Sequence, residues 1–124
     1  MTRHTFHLCP RETWDTAVAA FPGGHAYEAA SLATEGFIHC TDGEDALGAT
    51  FDRYYAADPR AFVALTVDLD AVGAPWRYDV EGSPYPHIYG PIPETAIRGV
   101  AAVRRAADGR FDGFGTRPDR PTSG

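Results

Sequence analysis

The 124-residue sequence predicts a single α+β domain with five or six strands and about two helices. Short runs of alternating apolar and polar residues, which are typical of half-buried strands, recur along the chain. Only two segments show the spacing of apolar residues that an amphipathic helix needs. The strands follow one another at irregular intervals, whereas a doubly wound parallel sheet needs a regular alternation of strands and helices.

The first half of the chain provides two predicted strands and the first helix. The alternating run TFHLC (residues 5–9) predicts a strand, and Pro10 suits the first turn of a helix over residues 11–20. We interpret residues 26–35 as a connecting stretch with a short helical turn. The run GFIHC (residues 36–40) predicts the second strand.

The second predicted helix begins at Asp42, which is of the residue type that caps helix N-termini, and extends to about residue 57. Apolar and aromatic residues recur on one face of this segment at helical spacing. These residues are Leu47, Phe51, Tyr54 and Tyr55.

The second half of the chain predicts the remaining strands. FVALTVDLD (residues 62–70) alternates most clearly, and WRYDVE (residues 76–81) has the pattern of a half-exposed strand. HIY (residues 87–89) is flanked by prolines, which cannot donate to a strand ladder, so we expect an edge strand there. We interpret residues 96–105 as a strand because Gly99 is unfavourable inside a helix.

The domain assignment places residues 1–114 in one domain and GTRPDRPTSG (residues 115–124) in a disordered tail, because the tail has too few apolar residues to pack. No apolar run approaches the roughly 20 residues that a membrane helix needs, and the N-terminus lacks the apolar core of a signal peptide. We therefore expect a cytoplasmic protein that does not bind membranes.

The charge balance narrows the function classes. The formal net charge is −6, so nonspecific binding of nucleic acid, which needs a basic face, is not expected. All 11 basic residues apart from histidine are arginines. The absence of lysine excludes Schiff-base chemistry and a lysine-dependent phosphate loop.

Three histidines occupy similar positions in predicted strands. His7, His39 and His87 each stand beside apolar residues that must face a core, so each imidazole projects to the opposite face of its strand. If the three strands share a sheet, the imidazoles line one cleft, with Thr41 and Tyr89 on their side. Any one of them taken alone is more often a structural histidine that binds the backbone.

Two other interpretations of these residues involve the cysteines. Histidine is a common zinc ligand, and Cys9 and Cys40 are close in sequence to His7 and His39. However, Cys40 and His39 project to opposite faces of a strand, and no histidine pair has short-range ligand spacing. We therefore expect no metal. A cysteine nucleophile is disfavoured because a free cysteine is usually a small buried apolar residue.

A charged strand face and several tyrosines complete the candidate site. One face of the predicted strand carries Arg77, Asp79 and Glu81. In one interpretation, these residues form a solvated surface in which the charges pair with one another. Alternatively, Asp79 is a catalytic carboxylate and Arg77 binds a phosphate or carboxylate group. Tyrosines such as Tyr27 and Tyr89 stack on planar rings and offer a hydroxyl. A nicotinamide or adenine ring is the kind of ligand that such a set binds.

The motifs FHLCPRETWDTA, YEAASLATEGFIHCT, VALTVDLD and YPHIYGPIP resemble the DUF952 family of small bacterial proteins. The resemblance covers about residues 5–111, and SLATEGFIHCT and PHIYGPI are its most specific parts. The chain departs from the family pattern in two places. Thr41 stands where serine is usual, and Asp79 stands where glutamate is common.

The resemblance implies an ADP-ribosyltransferase-like fold, in which two small mixed or antiparallel sheets, flanked by helices, form a cleft for NAD. On this similarity His7 takes the ribose-binding role, and the activity implied is ADP-ribosyl or 2′-phosphate transfer. The resemblance also places residues along the cleft and at its reacting end. They are Ser31 and His39 in the cleft, and His87, Tyr89 and Asp79 at the reacting end.

The leading hypothesis is therefore a DUF952-like protein that binds NAD or a related nucleotide in a histidine-lined cleft. In this hypothesis His39, His87 and Asp79 are the candidate catalytic residues. The candidate cofactor-binding residues are His7, Ser31, Tyr27, Thr41, Arg77 and Tyr89. Two alternatives stay open: a non-enzymatic module that binds a small ligand or nucleotide, and an NAD-independent enzyme that uses histidine acid–base chemistry.

Overall fold

The structure, a computed structural model, describes residues 3–115 as seven strands and three helices. The strands are β1 (His4–Pro10), β2 (Ile38–His39), β3 (Phe62–Asp68), β4 (Trp76–Tyr78), β5 (Pro86–Ile88), β6 (Ile97–Arg105) and β7 (Phe111–Gly115). The helices are α1 (Arg11–Ala20), α2 (Ala30–Glu35) and α3 (Glu44–Tyr54). The predicted tail, apart from Gly115 at the end of β7, lies outside the described residues.

The strands form two antiparallel sheets, which confirms the predicted α+β class with two small sheets. The larger sheet has the order β1-β3-β6-β7, and the smaller has the order β2-β5-β4. A backbone bridge between Phe6 and Thr41 connects the sheets, with two N–H···O bonds of 2.8 and 2.9 Å. This bridge places the end of β2 beside β1.

Strand β3 lies at the centre of the core because it buries residues on both faces. On one face Val63, Leu65 and Val67 pack against the smaller sheet. On the other face Phe62 and Ala64 pack against α3 and β7. A strand covered on both sides is apolar along its whole length, which explains why the sequence indicates it so clearly.

The helices differ from the prediction in number and in one cap. A third helix, α2, occupies part of the stretch interpreted as a connection with a short helical turn. The predicted N-cap is wrong, because Gly43 precedes α3 and no side chain caps the helix. The Asp42 carboxylate instead accepts a 2.5 Å hydrogen bond from the hydroxyl of Tyr78, which in turn accepts one from Arg3.

Strand β5 is central in its sheet, so the prediction of an edge strand is wrong. It pairs with β2 on one side and β4 on the other. Pro86 is tolerated because it is the first residue of the strand, where its missing N–H costs least. Strand β4 ends at Tyr78, earlier than predicted, and the glycine-containing strand β7 was not predicted at all.

Within residues 3–115, no helix combines the length and the apolar character needed to cross a membrane.

Candidate functional site

The smaller sheet has one apolar face and one polar face, and the polar face carries the candidate site. His39 on β2, His87 on β5 and Arg77 on β4 are register partners, so their side chains form one row across the sheet. A second row lies on the opposite face and packs into the core. It consists of Ile38, Ile88 and Trp76.

The local fold that presents His39 depends on Gly36. This glycine ends α2 in the left-handed conformation, with a φ of 89°, and its N–H caps the carbonyls of Ser31 and Leu32. A side chain is strained at such a φ, so glycine suits this reversal. The chain then enters β2, and the Ser31 hydroxyl donates to the Phe37 carbonyl at 2.8 Å. The turn therefore fixes α2 directly beside His39.

Asp79, directly after β4, connects three side chains of the polar face. Its carboxylate accepts hydrogen bonds from the Tyr89 hydroxyl, from Nε of Arg77 at 2.6 Å and from Nδ1 of His87 at 2.7 Å. These donors, Tyr89 first, hold the pKa of the Asp79 carboxyl well below its usual range. Because the ionised carboxylate only accepts, Nδ1 of His87 carries the proton, and Nε2 of the neutral ring is an acceptor.

His39 has its own carboxylate. Its Nε2 lies 3.0 Å from Oε1 of Glu35, and both side chains are about half exposed, at 54% and 51%. The His39 and His87 rings meet edge-on with their centroids 5.3 Å apart. Phe37 stacks on the His87 ring at 4.0 Å and fixes its plane. The polar face thus presents two adjacent imidazoles, each oriented by a different carboxylate.

A cleft of about 1050 Å³ lies between this imidazole pair, β1, α2 and α3. Ionised side chains of both signs line it: Arg53, Arg60 and Glu35, with Asp58 paired to Arg60. The chain as a whole carries a formal charge of −6. The cleft therefore lacks the negative excess of the whole chain, so it does not repel an anionic ligand as the rest of the surface does.

The two cleft arginines are in different electrostatic states. Arg60 is bound by Asp58, with Nη2 and Oδ2 2.7 Å apart. The guanidinium of Arg53 lies 5.8 Å above the Tyr54 ring, and no carboxylate in the described part of the chain pairs with it. Arg53 is thus the cleft cation whose charge is available to a ligand.

His7 lies in the wall of the same cleft, but its ring is already satisfied. Nδ1 lies 2.7 Å from the His39 carbonyl and Nε2 lies 2.8 Å from the Tyr27 hydroxyl. The carbonyl only accepts, so Nδ1 donates and Nε2 accepts from Tyr27. Burial lowers the pKa of His7 to about 4, so the ring is neutral at physiological pH. Its contacts tie β2 and the Tyr27 loop to β1.

The two cysteines are buried and free. Burial raises the pKa of Cys9 to about 11 and also raises that of Cys40. A thiolate is the reactive form of cysteine, so neither thiol is a nucleophile near neutral pH. No group of three histidine, cysteine or carboxylate side chains with metal-binding geometry occurs within residues 3–115. The expectation that the protein holds no metal stays a prediction.

The sequence matches the pattern of the family described as "Protein of unknown function (DUF952)" over residues 8–100. The chain belongs to the DUF952 family. The fold is similar to two crystal structures of protein CC0527 from Caulobacter crescentus, one of them a double mutant, with a TM-score of 0.71 and 25% identity over 89% of this chain and 94% of that chain. A solution structure of CC0527 gives a TM-score of 0.65 and 24% identity, over 86% of this chain and 90% of that chain.

No curated protein matches the chain. The DUF952 assignment predicted from the sequence motifs is confirmed by the family match. Neither the family description nor the names of the similar structures state an activity.

The cleft of this DUF952 protein brings together six of the nine predicted site residues. They are His7, Tyr27, Ser31, His39, Thr41 and His87. Tyr27 is 1% exposed, and its hydroxyl is bound to His7. Arg77, Asp79 and Tyr89 do not line the cleft, but they contact one another, and Asp79 binds His87 from behind.

Two residues of the site were missed in the sequence. Glu35 pairs with His39 across the turn at Gly36. The spacing of four residues between this carboxylate and the histidine is visible in the sequence and could have indicated the pair. Arg53 lies at the C-terminal end of α3, where a basic residue is also favoured by the helix dipole. The sequence offered no reason to separate it from other surface arginines.

Proposed function

We propose that the cleft binds a small phosphorylated nucleotide, with NAD as the first ligand to test. The observation that carries the proposal is the combination of Arg53, a cation with no carboxylate partner in residues 3–115, with the oriented His87 ring in one cleft. An arginine binds phosphate oxygens well, and an imidazole with an open acceptor nitrogen suits a ribose hydroxyl.

The size and lining of the cleft support a nucleotide. Its volume of about 1050 Å³ is slightly above the range usual for small-molecule sites. Tyr54 and Tyr85, both in the lining, are 67% and 39% exposed. Exposed tyrosine rings are suitable surfaces for stacking a base or a nicotinamide. Ser31 and Thr41 add hydroxyl groups to the lining.

An ADP-ribosyltransferase-like arrangement is part of this proposal. Two antiparallel sheets joined at the Phe6–Thr41 bridge, with the cleft beside the joint, are consistent with it. In this proposal His7 and Tyr27 form the cleft wall, while Arg77 and Tyr89 hold Asp79 behind His87.

Among the transfers implied by the resemblance, phosphate chemistry fits the cleft better than ADP-ribosyl transfer. ADP-ribosyl transfer passes through an oxocarbenium-like centre that a nearby carboxylate stabilises. The carboxylate in the cleft lining, Glu35, is paired with His39, and Asp79 is bound by three donors outside the lining. Arginine and imidazole groups, in contrast, suit a phosphate.

A second candidate function is acid–base chemistry without NAD. It is favoured by one observation, the edge-on contact of His39 and His87 with a separate carboxylate on each ring. Such a pair can remove one proton and supply another in a single reaction.

Calorimetry tests the binding proposal. We expect wild-type protein to bind NAD and AMP saturably and to bind uncharged adenosine much more weakly. His39→Ala, His87→Ala and Arg53→Ala should each weaken binding about tenfold or more, which corresponds to roughly 1.4 kcal/mol. Their melting temperatures should stay close to that of the wild type.

His4→Ala is the matched control, because His4 is exposed on β1 and does not line the cleft. It should bind NAD and AMP as the wild type does. Equal affinity for adenosine and AMP, or unchanged affinity in all three cleft variants, would contradict the proposal. The proposal would also be contradicted if the wild-type protein bound none of the nucleotides.

A further inference from the structure

We propose that His87 and His39 are a base–acid pair that cleaves the phosphodiester bond of a small ribonucleotide by using its own 2′-hydroxyl. This inference rests on the proposed nucleotide cleft and names the reaction class of that site. Its physical basis is that the two neighbouring rings have different carboxylate partners and are therefore suited to different proton-transfer roles.

His87 has the environment of a base. Asp79 fixes the proton on Nδ1, so the lone pair of the neutral ring lies on Nε2, and no group in residues 3–115 binds that nitrogen. The negative charge of Asp79 is already offset by the Arg77 guanidinium at 2.6 Å and shared with the Tyr89 hydroxyl. The carboxylate that orients His87 is thus shared among three donors.

His39 has the environment of an acid. Its partner Glu35 has no other ion pair within the described part of the chain, and Oε1 of Glu35 lies 3.0 Å from Nε2 of His39. Nε2 of His39 is therefore held by a carboxylate that no arginine of the described chain shares. Because the His39 and His87 rings are 5.3 Å apart, one phosphodiester group is within reach of both.

The remaining cleft groups match a phosphodiester. Arg53 supplies a cation for the non-bridging oxygens, whose charge rises as the fifth bond to phosphorus forms. The net charge of −6 disfavours a long nucleic acid, whereas a cleft of about 1050 Å³ accommodates a ligand of dinucleotide size. The expected substrate is therefore a short ribonucleotide diester.

The proposed step needs no co-reactant. Nε2 of His87 takes the proton of the 2′-hydroxyl, and the 2′-oxygen forms a bond to phosphorus. The bond between phosphorus and the 5′-oxygen breaks, and the 5′-oxygen takes a proton from His39. The products are a 2′,3′-cyclic phosphate and a 5′-hydroxyl. One proton is gained by His87 and one is lost by His39, and exchange with water restores both rings.

Two substrates with different leaving groups separate the roles. Uridylyl-3′,5′-uridine has an alkoxide leaving group that needs a proton, whereas uridine 3′-(4-nitrophenyl phosphate) releases a phenolate that does not. We expect the wild type and His4→Ala to cleave both. His87→Ala should slow both reactions about a hundredfold or more, which is the usual effect of removing a general base.

His39→Ala is the decisive variant. It should slow cleavage of the dinucleotide about a hundredfold but leave the nitrophenyl ester within about tenfold of the wild type, because only the dinucleotide needs the acid. Thymidylyl-3′,5′-thymidine, which lacks the 2′-hydroxyl, should not be cleaved. The 31P spectrum should show the cyclic phosphate as the first product.

Three results would overturn the inference: wild-type protein that cleaves neither ribonucleotide, an equal loss on both substrates in His39→Ala, or cleavage of the thymidine dinucleotide. Calorimetry on the same preparations separates this failure from that of the proposed function. Nucleotide binding without cleavage rejects only the base–acid pair, whereas no binding and no cleavage reject both.

Discussion

The larger and the smaller sheet use histidine in opposite ways. In the larger sheet His7 is 6% exposed, and both of its ring nitrogens are bound by groups of the protein. In the smaller sheet His39 and His87 share an edge-on contact, and each ring uses one nitrogen for a carboxylate. The first histidine holds the fold together, whereas the other two present ring nitrogens to the cleft.

The difference follows from what covers each sheet. Strand β3 is covered on both faces, and its neighbour β1 holds His7 almost fully buried in the cleft wall, where a charged ring is unfavourable. Strand β5 buries Ile88 on one face, whereas His87 on the other face is 17% exposed, with Phe37 stacked on its ring, and lines the cleft. A histidine in an alternating strand thus becomes structural or accessible according to the element packed above it.

Truncation of the interior of the larger sheet should have the largest effect. Leu65→Ala removes a side chain that is 0% exposed, and we expect the free energy of unfolding to fall by about 2 to 5 kcal/mol. Its register partner Val100 is 42% exposed, so Val100→Ala is the matched control with a loss of well under that range. Urea denaturation measures both, and similar losses would contradict the described core.

The next largest effect is the pH dependence that His7 imposes on stability. Its folded pKa is about 4, against a usual value of 6.5, so between these pH values only the unfolded state binds the proton. Stability should therefore fall as the pH is lowered from about 6.5 to 4, by about 3 kcal/mol in total.

Urea denaturation at several pH values checks the His7 contribution. Asp58 does not contribute to the pH dependence in this range. The pKa of its carboxyl is lowered to about 2, so the stability that it provides is lost only as the pH falls below about 4. His7→Gln should be less stable at pH 7 but should show a much flatter dependence between pH 6.5 and 4. An equally steep dependence in His7→Gln would show that another group is responsible.

A smaller effect is expected from removing the cleft cation. Arg53→Ala should weaken binding of AMP by about 2 kcal/mol, the usual value of a hydrogen bond to a charged group, without a change in unfolding free energy. Arg104→Ala is a suitable control, because Arg104 is exposed and its contact with Asp112 is 3.8 Å long. Equal losses of affinity in the two variants, measured by calorimetry, would indicate a general charge effect instead of a site.

The smallest effect on stability should come from Glu35→Gln. The pair with His39 is half exposed on both sides, and such surface pairs contribute about 0 to 1 kcal/mol. Urea denaturation should therefore distinguish this variant clearly from Leu65→Ala. A loss of several kcal/mol would show that the pair holds α2 in place.

Local alternation predicted much of the fold but not the strand order. The buried strand β3 and the opposite projections of Ile38 and His39 could be predicted because side chains alternate faces every second residue in a strand. The position of β5 between two strands was not, since proline at a strand start and proline at an edge look alike in sequence. Strand β7 contains two glycines, so its residues carried no clear strand pattern.

The candidate site was predictable only in part for the same reason. The three histidines were identified because each is embedded in its own apolar run. The bond between His87 and Asp79 depends on the bend after β4, and the separation of His7 from the other two depends on burial. Neither is encoded within a short window of sequence.

NMR of the histidine ring nitrogens with and without AMP separates the buried histidine from the two cleft histidines most clearly. We expect His7 to stay neutral, with its proton on Nδ1, down to about pH 4 whether or not AMP is bound. We also expect AMP to cause saturable shifts at His39 and His87, with none at His4. Two results would contradict the division between one structural histidine and two accessible ones. The first is a His7 ring that titrates near its usual pKa, and the second is an absence of AMP-induced shifts at both His39 and His87.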